Sequence, residues 1–130
     1  MILVTDEIRR QLVNNGAIPG DHVPVVKFFN PSGAATWLIS EAMPEEPDIL
    51  FGLCDLGFGL PELGSVRLSE LEAARGRLGL GIERDLFFVG HQPLSVYAEA
   101  ATRAGYIVTD REALEAAAER LRLRRNGGAT

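Results

Sequence analysis

Carboxylates and arginines set among glycines are the residues of this sequence with the most chemistry available to them. Between Glu62 and Val89 the chain reads Glu62-Leu63-Gly64, Leu68-Ser69-Glu70-Leu71-Glu72, Arg75-Gly76, Gly79-Leu80 and Glu83-Arg84-Asp85-Leu86. Two carboxylates can serve as acid and base, or as ligands of a hard cation such as magnesium. Glu41 and Glu83 are the pair that a small hydrolase or metal-dependent enzyme would use. Nothing in the sequence fixes their separation, and no activated nucleophile or paired histidine accompanies them. The single cysteine, Cys54, cannot form an internal disulfide, and it has no metal-ligand spacing with His22 or His91. No metal or cofactor is therefore expected. Within Leu50-Phe51-Gly52-Leu53-Cys54 a buried, inert thiol is the favoured reading. Gly57-Phe58-Gly59-Leu60-Pro61 lacks the further glycine, the lysine and the following helix of a phosphate loop, and reads as a turn.

The charged triplet Glu83-Arg84-Asp85 lies beside glycines that let another backbone approach. This suggests a non-enzymatic interaction module whose candidate binding residues are Trp37, Glu41, Glu62, Arg75, Glu83, Arg84 and Asp85. A structural role competes: Arg75 and Arg84 would form bidentate pairs with Glu62, Glu70, Glu83 or Asp85 and hold an irregular connection together. For the triplet that structural role is favoured.

The net charge of -5 is unevenly distributed, with three basic and nine acidic side chains in residues 1–65 against ten and nine in residues 66–130. An acidic first half repels polyanions and raises a third class, a mimic of nucleic acid. Nine acids, several of them helix-capping, are too few for the extended rows a mimic needs. Arg120, Arg122, Arg124 and Arg125 form the only basic run, at the end of a helix where cations complement the macrodipole. A protein partner is favoured over nucleic acid; oligomeric state is not legible. Hydrophobic residues at 46% and charged ones at 24% fit an ordinary globular domain. No apolar run approaches a spanning helix, and Met1-Ile2-Leu3-Val4 has neither basic start nor cleavage site. A cytoplasmic location without membrane contact is expected.

The elements that must position these residues follow from periodicity and turn chemistry. Thr5 caps a helix over Asp6 to Asn15 with Ile8, Leu12 and Val13 on one face, stopped by Asn14-Asn15-Gly16. Val23 to Asn30 and Ala35 to Met43 form a hairpin about Asn30-Pro31-Ser32-Gly33. In the second strand Trp37, Ile39 and Glu41 are expected on one face. Ile49 to Leu56 is a central strand and Leu63 to Leu68 a fourth. Ser69-Glu70-Leu71-Glu72 reads as a capping box opening a helix that Arg75-Gly76 ends within little more than a turn. A tight connection through Gly76, Gly79 and Gly81 leads to a last strand over Leu86-Phe87-Phe88-Val89. Pro93 then starts a helix ending at Ala104 before Gly105. A second capping box, Thr109-Asp110-Arg111-Glu112, opens the closing helix to about Arg124, with Leu114, Ala117, Ala118 and Leu121 on one face. The expected fold is α+β: a mainly antiparallel sheet of four to five strands, an N-terminal helix, a short helix after strand four, and two C-terminal helices packed on the sheet. One domain spans residues 1–125, and residues 126–130 fray.

The ordered series Trp37-Leu38-Ile39-Ser40-Glu41, Phe51-Gly52-Leu53, Glu62-Leu63-Gly64, Leu68-Ser69-Glu70-Leu71, Arg75-Gly76, Gly79-Leu80 and Ile82-Glu83-Arg84-Asp85 resembles an uncharacterised bacterial family, domain of unknown function 2958. The resemblance covers Ile2 to about Phe88, which makes residues 90–125 a two-helix extension of a core over about 2–89. It implies a shared fold and an association with plasmids and other mobile elements. It carries no activity that could be transferred.

Overall fold

The computed structural model describes residues 1–75 and 79–128. Helix α1 (Asp6–Gly16) begins where the Thr5 hydroxyl accepts from the Ile8 amide at 3.2 Å, with Asp6 and Glu7 at its positive end. Strands β1 (Val26–Phe29), β2 (Thr36–Ala42), β3 (Ile49–Asp55) and β4 (Glu62–Arg67) follow, then the short helix α2 (Leu68–Ala73). Strand β5 (Glu83–Arg84) and helices α3 (Leu94–Ala104) and α4 (Arg111–Gly128) complete the order. Every pairing is antiparallel and the strands lie in the order β4-β3-β2-β1-β5. The α+β architecture is the expected one. Among the described residues no helix is long and apolar enough to cross a membrane.

The sheet separates two apolar cores. On one side Leu12 of α1, Leu68 and Leu71 of α2 and Leu3 pack against Val26, Phe28, Trp37, Ile39, Ala42 and Leu50. On the other, Leu94, Tyr97, Ala100 and Ala101 of α3 and Leu114 and Ala117 of α4 pack against Leu38 and Leu53. The small alanines let α3 and α4 approach closely, and Ala101 and Ala117 are fully buried.

Several local expectations are corrected. The register of β2 against β3 shifts between Ile39 and Glu41, so Ser40 is a β-bulge. Trp37, Ile39 and Ala42 face the α1 core; Glu41, opposite Phe51, does not share their face. Ser40 is buried, its carbonyl accepts from the Asn15 side chain at 2.9 Å, and its hydroxyl donates to the Phe51 carbonyl at 3.4 Å. The last strand is Glu83–Arg84, and Leu86 and Phe87 form a turn instead. The first strand starts at Val26, after Pro24 removes a ladder donor.

Neither capping box forms as written. In α4 the cap is Asp110, whose carboxylate accepts from the Ala113 amide at 3.0 Å; Thr109 lies one residue too early. In α2 neither Arg67 at the N-cap nor Ser69 caps with its own side chain; an aspartate from the β2–β3 loop does the work. Asp48 accepts from the Ser69 amide at 2.9 Å and from its hydroxyl at 2.8 Å, and the Asp48 carbonyl accepts from the Leu68 amide at 2.8 Å. These bonds, chiefly the Ser69 hydroxyl and then its amide, hold the Asp48 carboxyl below its ordinary range, with a smaller contribution from Arg67. Helix α3 repeats the device: Asp21 takes both the amide and the hydroxyl of Ser95, and the His22 carbonyl accepts from the Leu94 amide at 2.9 Å. Two Leu-Ser helix starts on opposite faces are thus each capped by an aspartate from a distant loop. Helix α3 stops at Gly105, left-handed at φ 86°, and α4 continues past Arg124 to Gly128. The turn expected at Gly76 lies outside the described residues.

The arginines near the chain end are tied to carboxylates. Glu99 of α3 accepts from Arg124 at 2.6 Å and from Arg120 at 3.2 Å, while Arg122 pairs with Glu119. With its side chain only 15% exposed, Glu99 is held below the ordinary carboxylate range, first by Arg124 and, against desolvation, by Arg120.

Two consequences are measurable. A Cβ on Gly52 would stand 2.0 Å from the Leu38 carbonyl oxygen. Gly52→Ala should therefore lower stability by about 2 kcal/mol, read as an earlier urea midpoint; an unchanged midpoint would contradict that close approach. Glu99 has a depressed folded pKa, so its stabilisation is full above its unfolded value and is lost as pH falls through the folded one. The melting-temperature gap between wild type and Glu99→Gln should be widest at neutral pH and close as the pH falls through and below the ordinary carboxylate range. A gap independent of pH would show that the contact is not ionic.

Candidate functional site

The seven side chains expected to form one surface are distributed over the molecule. Trp37 is only 7% exposed in the α1-side core, between Phe28 of β1 and Cys54 of β3. Glu62 begins β4 and the triplet lies at β5, at opposite edges of the sheet, about 19 Å apart by four strand spacings. Glu41 sits near the end of β2, whereas Glu83 is opposite Phe29 and so level with Thr36. By strand rise and spacing the two carboxylates are about 20 Å apart. Two carboxylates acting on one bond stand within about 10 Å of each other, so Glu41 and Glu83 do not form an acid–base pair.

Arg75 and Glu83 do come together. With Glu72, Met1, Leu3 and Ile82 they line an open cleft of about 560 Å³. The arginines, however, bind main chain rather than the acids expected. Arg75 donates to the carbonyls of Glu72 and Ala74 at 2.9 and 2.8 Å, closing the C-terminal end of α2. Arg84 donates to the carbonyls of Ile2 and Leu3 at 2.8 and 3.2 Å, and its amide meets the Met1 sulfur at 3.1 Å. Arg84 thereby fastens the start of the chain along the outer edge of β5.

Asp85 leaves the strand on the other face. Its amide donates to the Lys27 carbonyl at 2.9 Å, its carboxylate pairs with the Lys27 ammonium at 3.6 Å, and the same carboxylate accepts from the Phe87 amide at 2.9 Å. The last bond closes an Asx turn. Phe88 then turns inward with its ring centroid 6.3 Å from that of Tyr97, and the Tyr97 hydroxyl accepts from the His91 amide at 3.2 Å. Gly90 lies against Pro24: a Cβ there would be 2.2 Å from its carbonyl oxygen. Residues 85–91 are therefore held at both ends and in the middle. What they hold outward is apolar: Phe87 is 93% exposed, Leu86 65% and Val89 64%. Single exposed apolar residues are ordinary, but three within four positions on a fixed backbone form a patch that water covers poorly.

Beneath this segment runs a polar trough. Lys27, Asp85, Phe87, His91, Tyr97 and Thr109 line one part of about 310 Å³. His91 and Thr109 also line a neighbouring part of about 450 Å³ with Gln92, Arg111, Leu114 and Glu115. Its charges are largely matched within the chain, Lys27 by Asp85 and Arg111 by Glu115 at 2.8 Å. Lys27, Phe87 and His91 escaped the sequence reading, because an apolar run after β5 reads as a buried strand and its fixed turn depends on contacts with β1 and α3. The available signal was the sole lysine of the chain. Among the described residues no group of three His, Cys, Asp or Glu side chains is placed to hold a metal ion. Burial raises the Cys54 thiol above its ordinary range, which disfavours the thiolate.

The family model described as protein of unknown function (DUF2958) matches residues 3–108, and the chain belongs to this family. The match runs past Phe88 to take in α3 and the link after it, with α4 beyond its end. No curated protein and no solved structure matches the chain.

The main-chain role of Arg84 has a direct test. Arg84→Ala should speed amide exchange or proteolysis at Ile2 to Val4 while leaving the exchange of β2 and β3 unchanged. Uniform protection in the variant would show that Arg84 does not fasten the segment.

Proposed function

We propose that this member of the DUF2958 family is a non-enzymatic interaction module that binds a protein partner through the segment 86–89 and the trough below it. The observation that carries this reading is the display of Phe87 on a turn fixed by Asp85, with Phe88 anchored on Tyr97. Binding energy concentrates in a few aromatic and apolar anchors, and a backbone already fixed loses little entropy on association. The candidate surface of the sequence reading is thereby redrawn. Asp85 remains in it as a positioning residue, Glu83 and Arg75 lie in a separate cleft, and Arg84 and Trp37 are structural. A bacterial setting associated with mobile elements is what the family resemblance implies, and a cytoplasmic location completes the proposal. A partner made of protein rather than nucleic acid fits the commitment of Arg120, Arg122 and Arg124 to internal carboxylates.

Affinity capture from extracts of the native host, with and without nuclease, tests the proposal. The wild type should retain a nuclease-resistant protein, and Phe87→Ala should retain it at least about tenfold less, since loss of a hot-spot anchor costs about 2 kcal/mol or more. Phe87 is nearly fully exposed, so the variant should melt with the wild type. Equal capture by a folded Phe87→Ala variant would overturn the assignment.

A further inference from the structure

On the side of the sheet that carries α3 and α4, the two helices cover Leu38 and Leu53, while Phe51 in the next row packs against the same core and stays partly exposed. This incompletely covered row runs Glu41, Phe51, Ser65 across β2, β3 and β4; the next holds Met43 and Ile49. These residues line a depression of about 810 Å³, and Glu41 and Phe51 are shared with a second depression of about 260 Å³ that reaches Leu63 and the start of α3. Phe51 is only partly buried, Met43 is 49% exposed and Leu63 50% exposed. A sheet face of this kind is ordinarily closed by another element.

The charge of the site selects the occupant. Glu41 and Glu45 lie in the larger depression, and no lysine or arginine among the described residues lines either one. Arg67 at the end of β4 is engaged by Glu46 at 2.9 Å and Asp48 at 3.6 Å, and Glu41 has no ion-pair partner among the described residues. From β2 to β4 the incompletely covered strip spans two strand spacings, about 10 Å, which is the width of one helix. We infer that this strip is a docking groove for an amphipathic helix of a partner protein, with the helix's apolar stripe on Phe51, Met43 and Leu63 and a lysine or arginine at its margin paired with Glu41. The Glu41 carboxylate beside an apolar floor gives specificity for a cationic helix over an acidic one. The groove lies at the β4 side of the sheet, away from Phe87 beyond β5, and does not depend on the surface proposed there.

A defined probe tests this: a helical peptide of about eighteen leucine and lysine residues with one apolar face, beside a leucine–glutamate peptide of the same pattern. Titrated into the labelled protein, the lysine peptide should shift the amides of Glu41, Phe51, Leu63 and Ser65. The glutamate peptide should leave them in place. Glu41→Gln should weaken binding about fivefold, and Ser65→Arg, on the exposed edge strand, should weaken it at least about tenfold by placing a competing cation in the groove. Phe87→Ala should bind the peptide as the wild type does. Shifts centred elsewhere, equal response to the glutamate peptide, or wild-type binding by folded Glu41→Gln and Ser65→Arg variants would overturn the inference.

Discussion

The extra residue in β2 governs the arrangement of everything around it. A strand alternates faces with a period of two, so one inserted residue exchanges the faces of all that follow. Up to Ile39 the pattern sends Trp37 and Ile39 into the α1 core and Leu38 into the α3 core; after Ser40 it sends Ala42 to α1 and Glu41 to the opposite side. Without the bulge Glu41 would be directed into the core that contains Trp37, where a carboxylate has no partner. Asn15 at the end of α1 bonds the Ser40 carbonyl, and Gly16 comes so close to β2 that a Cβ there would stand 1.9 Å from the Ala42 carbonyl oxygen. Helix and bulge therefore define each other's position.

Much of the architecture was legible because its causes are local. Thr5 with Asp6 and Glu7, the turn at Asn30-Pro31-Ser32-Gly33, and Gly105 each specify a boundary through the nearest few residues, and each boundary falls close to its expected place. The alanine and leucine spacing of α4 likewise predicts its buried stripe. What was not legible depends on residues far apart in sequence. Ser69 looks like a cap for its own helix, yet Asp48 supplies the carboxylate; Leu86 to Val89 has strand composition, yet the Asx turn at Asp85 and the Phe88–Tyr97 contact keep it out of the sheet. The bulge itself has no turn residue to announce it; its one trace in the sequence is Glu41, which strict alternation would place in line with Trp37 and Ile39.

The site reading met the same boundary. Charged residues clustered in sequence around Arg75 and Glu83 to Asp85 suggested one surface, but adjacent residues of a strand diverge to opposite faces. Arg84 is directed to Ile2 and Leu3 while Asp85 is directed to Lys27. Two buried groups do comparable structural work elsewhere. Asp55, only 2% exposed, accepts from the Gly57 amide at 2.9 Å and the Ile107 amide at 3.1 Å, which fixes the β3–β4 turn against the link between α3 and α4. Tyr97 performs a similar service for His91.

The fastening of the first residues by Arg84 also bears on the order in which the molecule assembles. That contact joins positions 82 apart in sequence, whereas β2, β3 and β4 are joined through the short connections 43–48 and 56–61. Loop closure costs more entropy as the loop lengthens, and distant contacts repay it only when the surfaces they join already exist. The three-stranded meander can form from near neighbours, while β5 and the chain start meet across nearly the whole described core. The same residue that anchors the chain start thus closes a loop of more than eighty residues, and loop-closure entropy predicts that its contacts form after the meander rather than with it.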